Sequence, residues 1–418
     1  VHAHPEILRR TALTQGKIMP ALAERLKDVE ISASVVMTAR ARALAEKGIK
    51  VISLAVGEPD FDTPRHAIEA AYQAALAGDT KYPPQDGTKA LKLAVQKKFK
   101  RDSGIDYALD EIMVANGGKQ IIFDALMATV DPGDEVVIPS PYWISYADMA
   151  KVPGGKPVFV PCPQNNGFRL RAEDLDAAIT PKTKWLILNF PNNPTGAACS
   201  KAEMKAIAEV MLKHPHVWVM TDDMYEHLVY DGFEFCTIAA VEPKLKDRVL
   251  TVSGASKTYA MTGWRVGFCG GPKALIKGMI NMQGQATSGI CTIAQAAAVA
   301  ALEGPQDLVA ERAAIYKERR DLVVAALNKA KGMSCHAPEG AFYVYPNIAG
   351  CLGKTSAGGK RIDTDFDFAM ALIDEAHVGV VHGAAYGMSP YIRVSYATDT
   401  ASLEEACKRI QEFCAALH

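Results

Sequence analysis

Short, continuous apolar runs alternate along the chain with longer segments whose apolar positions recur every three or four residues. The runs at 112–114, 135–138, 157–160, 185–188, 217–220, 249–252 and 266–269 lack the alternation of a half-exposed strand and read as strands covered on both faces. Segments 64–77, 88–101, 118–129, 144–150, 201–213, 272–283 and 292–303 carry the helical period and fall before, between and after them. Such alternation predicts an α/β fold whose mostly parallel central sheet is flanked by helices. From 306 the rhythm changes. A long helix over 306–330, a strand at 341–345, a helix over 364–375, two more strands and a helix over 402–416 predict a smaller α+β domain.

Ahead of the series, 32–47 suits a helix ended by Gly48, and 51–56 suits a strand running into Gly57. Residues 353–360, rich in Gly, Ser and Lys, read as a surface loop. The expected division is an N-terminal arm and part of the small domain at 19–62, a large domain at 63–305 and a small C-terminal domain at 306–418. Residues 1–18 read as a leader or an expression-derived segment, since the chain opens on Val and Met19-Pro20 starts a fresh segment.

Composition narrows the function classes. With 46 Lys and Arg against 47 Asp and Glu, the formal net charge is −1, which gives no bulk electrostatic reason to bind nucleic acid or a membrane surface. Hydrophobic residues make up 49% of the chain, too many for disorder, yet no stretch approaches the roughly 20 apolar residues of a membrane span. The nine cysteines are odd in number and unclustered, so neither a disulfide framework nor a zinc site is expected. Free thiols point to a reducing compartment, the cytoplasm. His214-Pro215-His216 lacks Cys or carboxylate companions and reads as a loop, so no metal site is expected.

Ligands of open α/β sheets bind beyond the carboxyl ends of the strands, and the unusual residues fall there. Asn116-Gly117-Gly118-Lys119 follows a strand and opens a helix, offering free N–H groups and a positive dipole to an anion. It is neither G-x-G-x-x-G nor a Walker loop. Further strands end in Asn189-Phe190-Pro191-Asn192-Asn193-Pro194-Thr195-Gly196, in Thr221-Asp222-Asp223-Met224-Tyr225-Glu226 and in Ser253-Gly254-Ala255-Ser256-Lys257. Gly263-Trp264-Arg265 follows closely. Singly, a tight turn, a solvated Asp or a surface Lys explains each. Together they form a chemical set.

These motifs, with Gly57-Glu58-Pro59-Asp60, Lys81-Tyr82, Pro141-Tyr142-Trp143, Gly340-Ala341-Phe342-Tyr343 and Ile392-Arg393-Val394-Ser395, resemble those of fold type I pyridoxal-phosphate enzymes. The likeness is to class I aminotransferases similar to the bacterial aspartate aminotransferases. Order and spacing carry it: 29 residues from Asn193 to Asp222, 35 more to Lys257 and 8 more to Arg265. The resemblance implies pyridoxal 5'-phosphate as cofactor. Lys257 matches the lysine that joins the cofactor as a Schiff base and serves as general base. Asp222 matches the carboxylate that keeps the ring nitrogen protonated, making the ring an electron sink. Tyr225 and Asn193 match the donors to its phenolic oxygen, and Trp143 the ring stacked on it. The Gly118 and Lys119 amides, Arg265 and Tyr82 match the phosphate ligands. Tyr82 would reach in from a neighbouring subunit, which implies a homodimer with shared active sites. Arg393 matches the clamp on the substrate α-carboxylate, and Gly57 the glycine whose backbone lies beside the substrate. Gly254 stands where many relatives place a phosphate-binding Ser, and His382 where Pro is usual.

The implied reaction converts L-aspartate and 2-oxoglutarate to oxaloacetate and L-glutamate by a ping-pong cycle. A distal carboxylate would meet Lys119 and the hydroxyls of Ser32 and Ser34. Glu30 takes a place that is often basic in relatives that also handle prephenate, which disfavours that substrate. Two other readings keep every cofactor residue: a broad-specificity or aromatic (including prephenate) aminotransferase using the surroundings of Tyr142 and Trp143, and a β-lyase. A cofactor-sensing regulator would need a basic helical domain ahead of the first strand and is not expected.

Overall fold

Seven of the apolar runs pair into one sheet. They are β1 (Ile112–Asn116), β2 (Glu135–Ser140), β3 (Lys156–Pro161), β4 (Thr183–Leu188), β5 (Trp218–Asp222), β6 (Val249–Gly254) and β7 (Val266–Gly270). Their order is β1-β7-β6-β5-β4-β2-β3. Neighbours from β6 through to β3 are parallel, while β7 runs antiparallel to both β1 and β6. The computed structural model describes residues 22–29 and 33–418; the expected leader at 1–18, Glu30 and Ser32 lie outside the described residues.

Successive strand residues point to opposite faces, and both faces are covered, which is why the strands read as unbroken apolar runs. Val114, Leu186 and Val219 pack with Leu91, Ile207 and Ala298 on one side. Met113, Trp185 and Ile187 pack with Ile121, Tyr146 and Ile276 on the other. The expected mostly parallel, helix-flanked α/β architecture is what forms. Among the described residues, no helix is long and apolar enough to cross a membrane.

A second apolar body draws early and late parts of the described chain together. Ile52–Ser53 pairs in parallel with Val378–Gly379. Val381–His382, Ile392–Ser395 and Tyr343–Val344 form an antiparallel sheet. Helices Asp307–Leu327 and Thr400–Ala416 bury Tyr316, Val323, Leu403 and Ile410 in a cluster that includes Leu54, Ile392 and Val394.

Several elements are shorter than expected, each for a visible reason. The strand expected at 51–56 pairs only over Ile52–Ser53, and beyond Leu54 its carbonyls serve side chains: Arg393 donates to Ala55 O and Lys257 to Gly57 O. The strand expected at 341–345 shrinks to Tyr343–Val344 because Ala341 adopts a left-handed φ of 56°. The helix expected over 364–375 is α-helical over Asp365–Ala371, then winds more widely over Leu372–Ala376 and stops at His377, φ 57°. The expected loop at 353–360 contributes Lys354–Thr355 to a short pairing with Arg361–Ile362.

β7 presses on the turn between β1 and helix Gly118–Thr129. A Cβ at Gly267 would collide with the carbonyl carbon of Gly117 and the nitrogen of Gly118. Gly267→Ala should therefore cost ~1–3 kcal/mol, as overpacking does. Urea unfolding checks this, and unchanged stability would show that the turn yields freely.

Candidate active site

The Gly117-Gly118 turn shows why glycine is required there. Gly117 sits at φ 83°, and the place of its missing side chain is taken by the guanidinium of Arg265. Gly118 opens a helix whose first N–H groups have no intrahelical acceptor. Arg265, itself left-handed at φ 56°, donates to Thr262 O at 2.9 Å and Asn116 O at 3.2 Å and stays exposed. A guanidinium beside free helix amides suits a phosphate group. Lys119 Nζ lies 5.0 Å from the Trp143 ring centre, and desolvation, then the charge of Arg265, lowers its pKa. Gly254 is buried at the end of β6, where a Cβ would press against Val266 O at 3.0 Å.

Asp222 ends β5 among apolar groups. Burial raises its carboxyl pKa to about 6, against the opposing effect of a 2.6 Å hydrogen bond donated by Tyr146. Asn189 ties two strand ends together: its Nδ2 donates to Asp222 O at 2.8 Å, and its Oδ1 accepts the Asn193 N–H at 2.9 Å. Lys257 is half-buried after β6, donates to Gly57 O and lies 5.7 Å from the Phe342 ring centre. Desolvation first, then the charges of Arg393 and Arg265, bring its pKa down to about 8, opposed by Glu58 and Asp222. An amine so placed is part neutral near pH 7 and can act as nucleophile or base.

Arg393 is 3% exposed, yet none of its partners among the described residues is a carboxylate. It donates to Asn193 Oδ1 at 3.0 Å and to Ala55 O, and its Nε has no partner. Its guanidinium carbon lies 4.7 Å from the Tyr343 ring centre and 5.2 Å from that of Tyr386. A buried guanidinium with neutral acceptors and an unused N–H is costly. A ligand carboxylate would complete it in the planar, two-bond manner arginine favours. The hydroxyls of Tyr225 and Tyr343 are 2.9 Å apart, and burial pushes the Tyr225 phenol well above its ordinary pKa. A Cβ at Gly57 would collide with the Tyr343 hydroxyl, so the fold's own tyrosine already demands glycine there.

Contacts and charge coupling thus join Lys257, Asp222, Tyr225, Asn193, Arg393, Gly57, Gly118, Lys119, Arg265 and Trp143 in one region. Ser34, in helix Ala33–Ala45, neighbours Tyr386. Tyr82 does not join its own chain's site and is 95% exposed. Tyr146, Asn189, Tyr343 and Tyr386 were not expected. Tyr146 follows Trp143 by three residues, a spacing that puts both on one side of a helical turn. Tyr343 lay inside a motif already singled out, whereas nothing in the sequence marks Tyr386.

The family model for aminotransferase class I and II matches residues 49–410. The aspartate aminotransferase of Rhizobium meliloti is 55% identical over 392 residues, covering 94% of this chain and 96% of that protein. The aspartate/prephenate aminotransferase of Cereibacter sphaeroides is 54% identical over 399 residues, covering 96% and 100%. The structure of Thermus thermophilus aspartate aminotransferase with maleate matches with a TM-score of 0.87 at 37% identity, covering 94% of this chain and 100% of that one. Fold, donor set and these likenesses along nearly the whole length agree: the chain belongs to the class I and II aminotransferase family, whose class I members use pyridoxal 5'-phosphate.

Proposed function

We propose that this protein is an aspartate aminotransferase, carrying the amino group of L-aspartate to 2-oxoglutarate in two half-reactions. The observation that carries this reading is Arg393, a buried guanidinium with an unused Nε, whose charge helps to lower the pKa of Lys257. Such a pair holds an α-carboxylate next to an amine able to take the neighbouring proton.

The donor set fits the cofactor. The amides of Gly118 and Lys119 and the guanidinium of Arg265 would hold its phosphate, Trp143 its ring face and Asp222 its ring nitrogen. Tyr225 and Asn193 would hold its phenolic oxygen, and Lys257 its aldehyde carbon. When bound, pyridoxal phosphate supplies an electron sink that makes the α-proton of an amino acid acidic. Arg393 orients the substrate by its α-carboxylate, and Lys257 Nζ would take the proton from Cα of the amino acid in one half-reaction and deliver one to the carbonyl carbon of the oxo acid in the other. Gly57 O, the acceptor of Lys257 in this structure, gives that amine a defined resting direction.

For the side chain, Lys119 with Ser34 and Ser32 would receive a distal carboxylate. The maleate in the Thermus thermophilus structure, itself a dicarboxylate, supports this. The Cereibacter sphaeroides relative's name favours prephenate as a second substrate, and Glu30, which speaks against it in the sequence, lies outside the described residues. Ile68, Tyr72 and Leu76 form an exposed apolar stripe on helix Arg65–Leu76, and Tyr82, a few residues further along the chain, is exposed as well. That stripe supports a homodimer in which Tyr82 enters the partner's phosphate site. The parallel pairing of Ile52–Ser53 with Val378–Gly379 supports grouping 19–62 with 306–418 as the smaller domain and 63–305 as the large one. Nine free thiols support a cytoplasmic location.

Three tests follow from these assignments. Lys119→Ala should slow the aspartate half-reaction by ~10–100-fold, the loss of one charged hydrogen bond, and phenylalanine far less; equal slowing in stopped-flow traces would contradict the distal-carboxylate role. Asp222 holds its proton in the folded, cofactor-free protein up to about pH 6, against an ordinary 3.8. Its ionisation therefore costs nothing below pH 3.8, weighs progressively between these values, and above pH 6 removes about 3 kcal/mol. Cofactor-free Asp222→Asn should gain stability over wild type by that course in urea titrations from pH 4 to 7; a pH-independent difference would refute it. Tyr72→Glu should yield monomers with weakened cofactor binding in sedimentation and spectral titration, whereas an intact dimer would place the interface elsewhere.

A further inference from the structure

Two reactive positions are each followed in sequence by a residue held in one buried polar network, and the third by an acid whose pKa is raised by burial first and then by the charge of Glu226. Asp222 is followed by Asp223, Tyr225 by Glu226 and Lys257 by Thr258, and all three of these neighbours are buried. At the centre stands Lys98, on helix Lys89–Ser103 and 2% exposed. Its ammonium bonds both carboxylate oxygens of Glu226 at 2.5 Å and lies 3.7 Å from Asp102 Oδ2. Glu226 also accepts the hydroxyl of Ser253 at 2.6 Å, on the strand that leads to Lys257. Asp102 Oδ2 accepts from His227 Nε2 at 3.1 Å, which leaves His227 Nδ1 to accept the Thr258 hydroxyl at 3.1 Å. Arg101 completes the charge balance with a 2.6 Å bond to Asp102 Oδ1.

Asp102, Glu226 and His227 present ligand atoms within 4.8 Å of one another, as a metal site would. The cation they enclose is the ammonium of Lys98. A buried ion pair gains little over apolar residues of the same shape, and the same helix buries Leu91, Ala94, Val95 and Phe99 without charge. Stability alone therefore gives no reason to prefer a lysine there; direction does. Apolar contacts slide, whereas an ammonium between two fixed carboxylates has one resting place.

We propose that Lys98 is a positioning residue for the reaction. Through Glu226 it fixes the backbone that aims the Tyr225 phenol. Through Asp102, His227 and Thr258 it fixes the backbone that carries Lys257. This rests on the roles proposed for Tyr225 and Lys257. Its specific consequence is electrostatic. If Tyr225 drifts from the cofactor's phenolic oxygen, the anionic form of that oxygen loses a donor, and the neighbouring lysine-bound nitrogen gives up its proton at higher pH.

The test uses cofactor-loaded wild type, Lys98→Met, Thr258→Val, Thr258→Ser and Val95→Ala, compared by the pH midpoint of the visible absorbance band and by aspartate kinetics. Lys98→Met should raise the midpoint by about half a unit or more and lower kcat ~10–100-fold, the penalty of slight misplacement, with KM little changed. Thr258→Val should move both quantities in the same directions to a smaller extent. Thr258→Ser, which keeps the hydroxyl, should behave as wild type. Val95→Ala, an apolar truncation on the same helix, should lower Tm and leave the midpoint alone. The proposal is overturned if Lys98→Met and Thr258→Val keep the wild-type midpoint and kcat, or if Val95→Ala shifts the midpoint as far. Should Lys98→Met fail to fold, the contrast between Thr258→Val and Thr258→Ser decides. A wild type with no visible band on cofactor addition would refute the function itself, a different outcome.

Discussion

Four cations face one region of this molecule without a carboxylate partner among the described residues, and the rest of the structure is arranged around keeping them so. Arg393 is answered by an amide oxygen and a carbonyl, Lys257 by a carbonyl, Arg265 by two carbonyls and Lys119 by an aromatic face. Neutral acceptors position a cation without cancelling its charge. Where water is partly excluded, the remaining field is screened less than in open solvent. An anionic cofactor and an anionic substrate are the natural complement of such a field, and desolvation, aided by the charges of Arg393 and Arg265, lowers the Lys257 amine toward neutrality.

The fold supplies the acceptors at the cost of its own regularity. Strand Ile52–Ser53 stops early so that Ala55 and Gly57 can turn their carbonyls to Arg393 and Lys257. The same segment pairs with Val378–Gly379, and Leu54 O accepts the Ser395 N–H. The chain's early and late parts therefore meet at the site. Asp222 is the counterpart of the cations: a carboxyl buried where burial favours its protonated form. It is destabilising until a ring cation pairs with it. Stability is thus withheld where chemistry needs unpaired charge, while Lys98 and Arg101 are paired with Glu226 and Asp102 in the network behind.

Much of this was legible in the sequence. Continuous apolar runs marked strands covered on both faces, and strand-end residues marked the ligand side, because both follow from local periodicity and sheet direction. Lys257, Asp222, Asn193 and Arg265 stood out by type and spacing. What could not be read depends on long-range contact. Tyr343 reaches Gly57, Tyr225 and Arg393 from far along the chain, and nothing local announces that its hydroxyl stands where a Gly57 side chain would go. Lys98 gave no local signal, since a lysine on a helix ordinarily faces water. The strand at 51–56 looked longer than it is because side chains that take its carbonyls come from residues 257 and 393.

The chemistry depends on one claim, that Lys257 is the half-buried, cation-crowded amine that joins the cofactor. Borohydride reduction of the cofactor-loaded protein, followed by peptide mass mapping, tests it directly. A stable phosphopyridoxyl group on Lys257 alone is the expected result. Attachment to Lys119 or Lys98 instead, or no attachment at all, would contradict it.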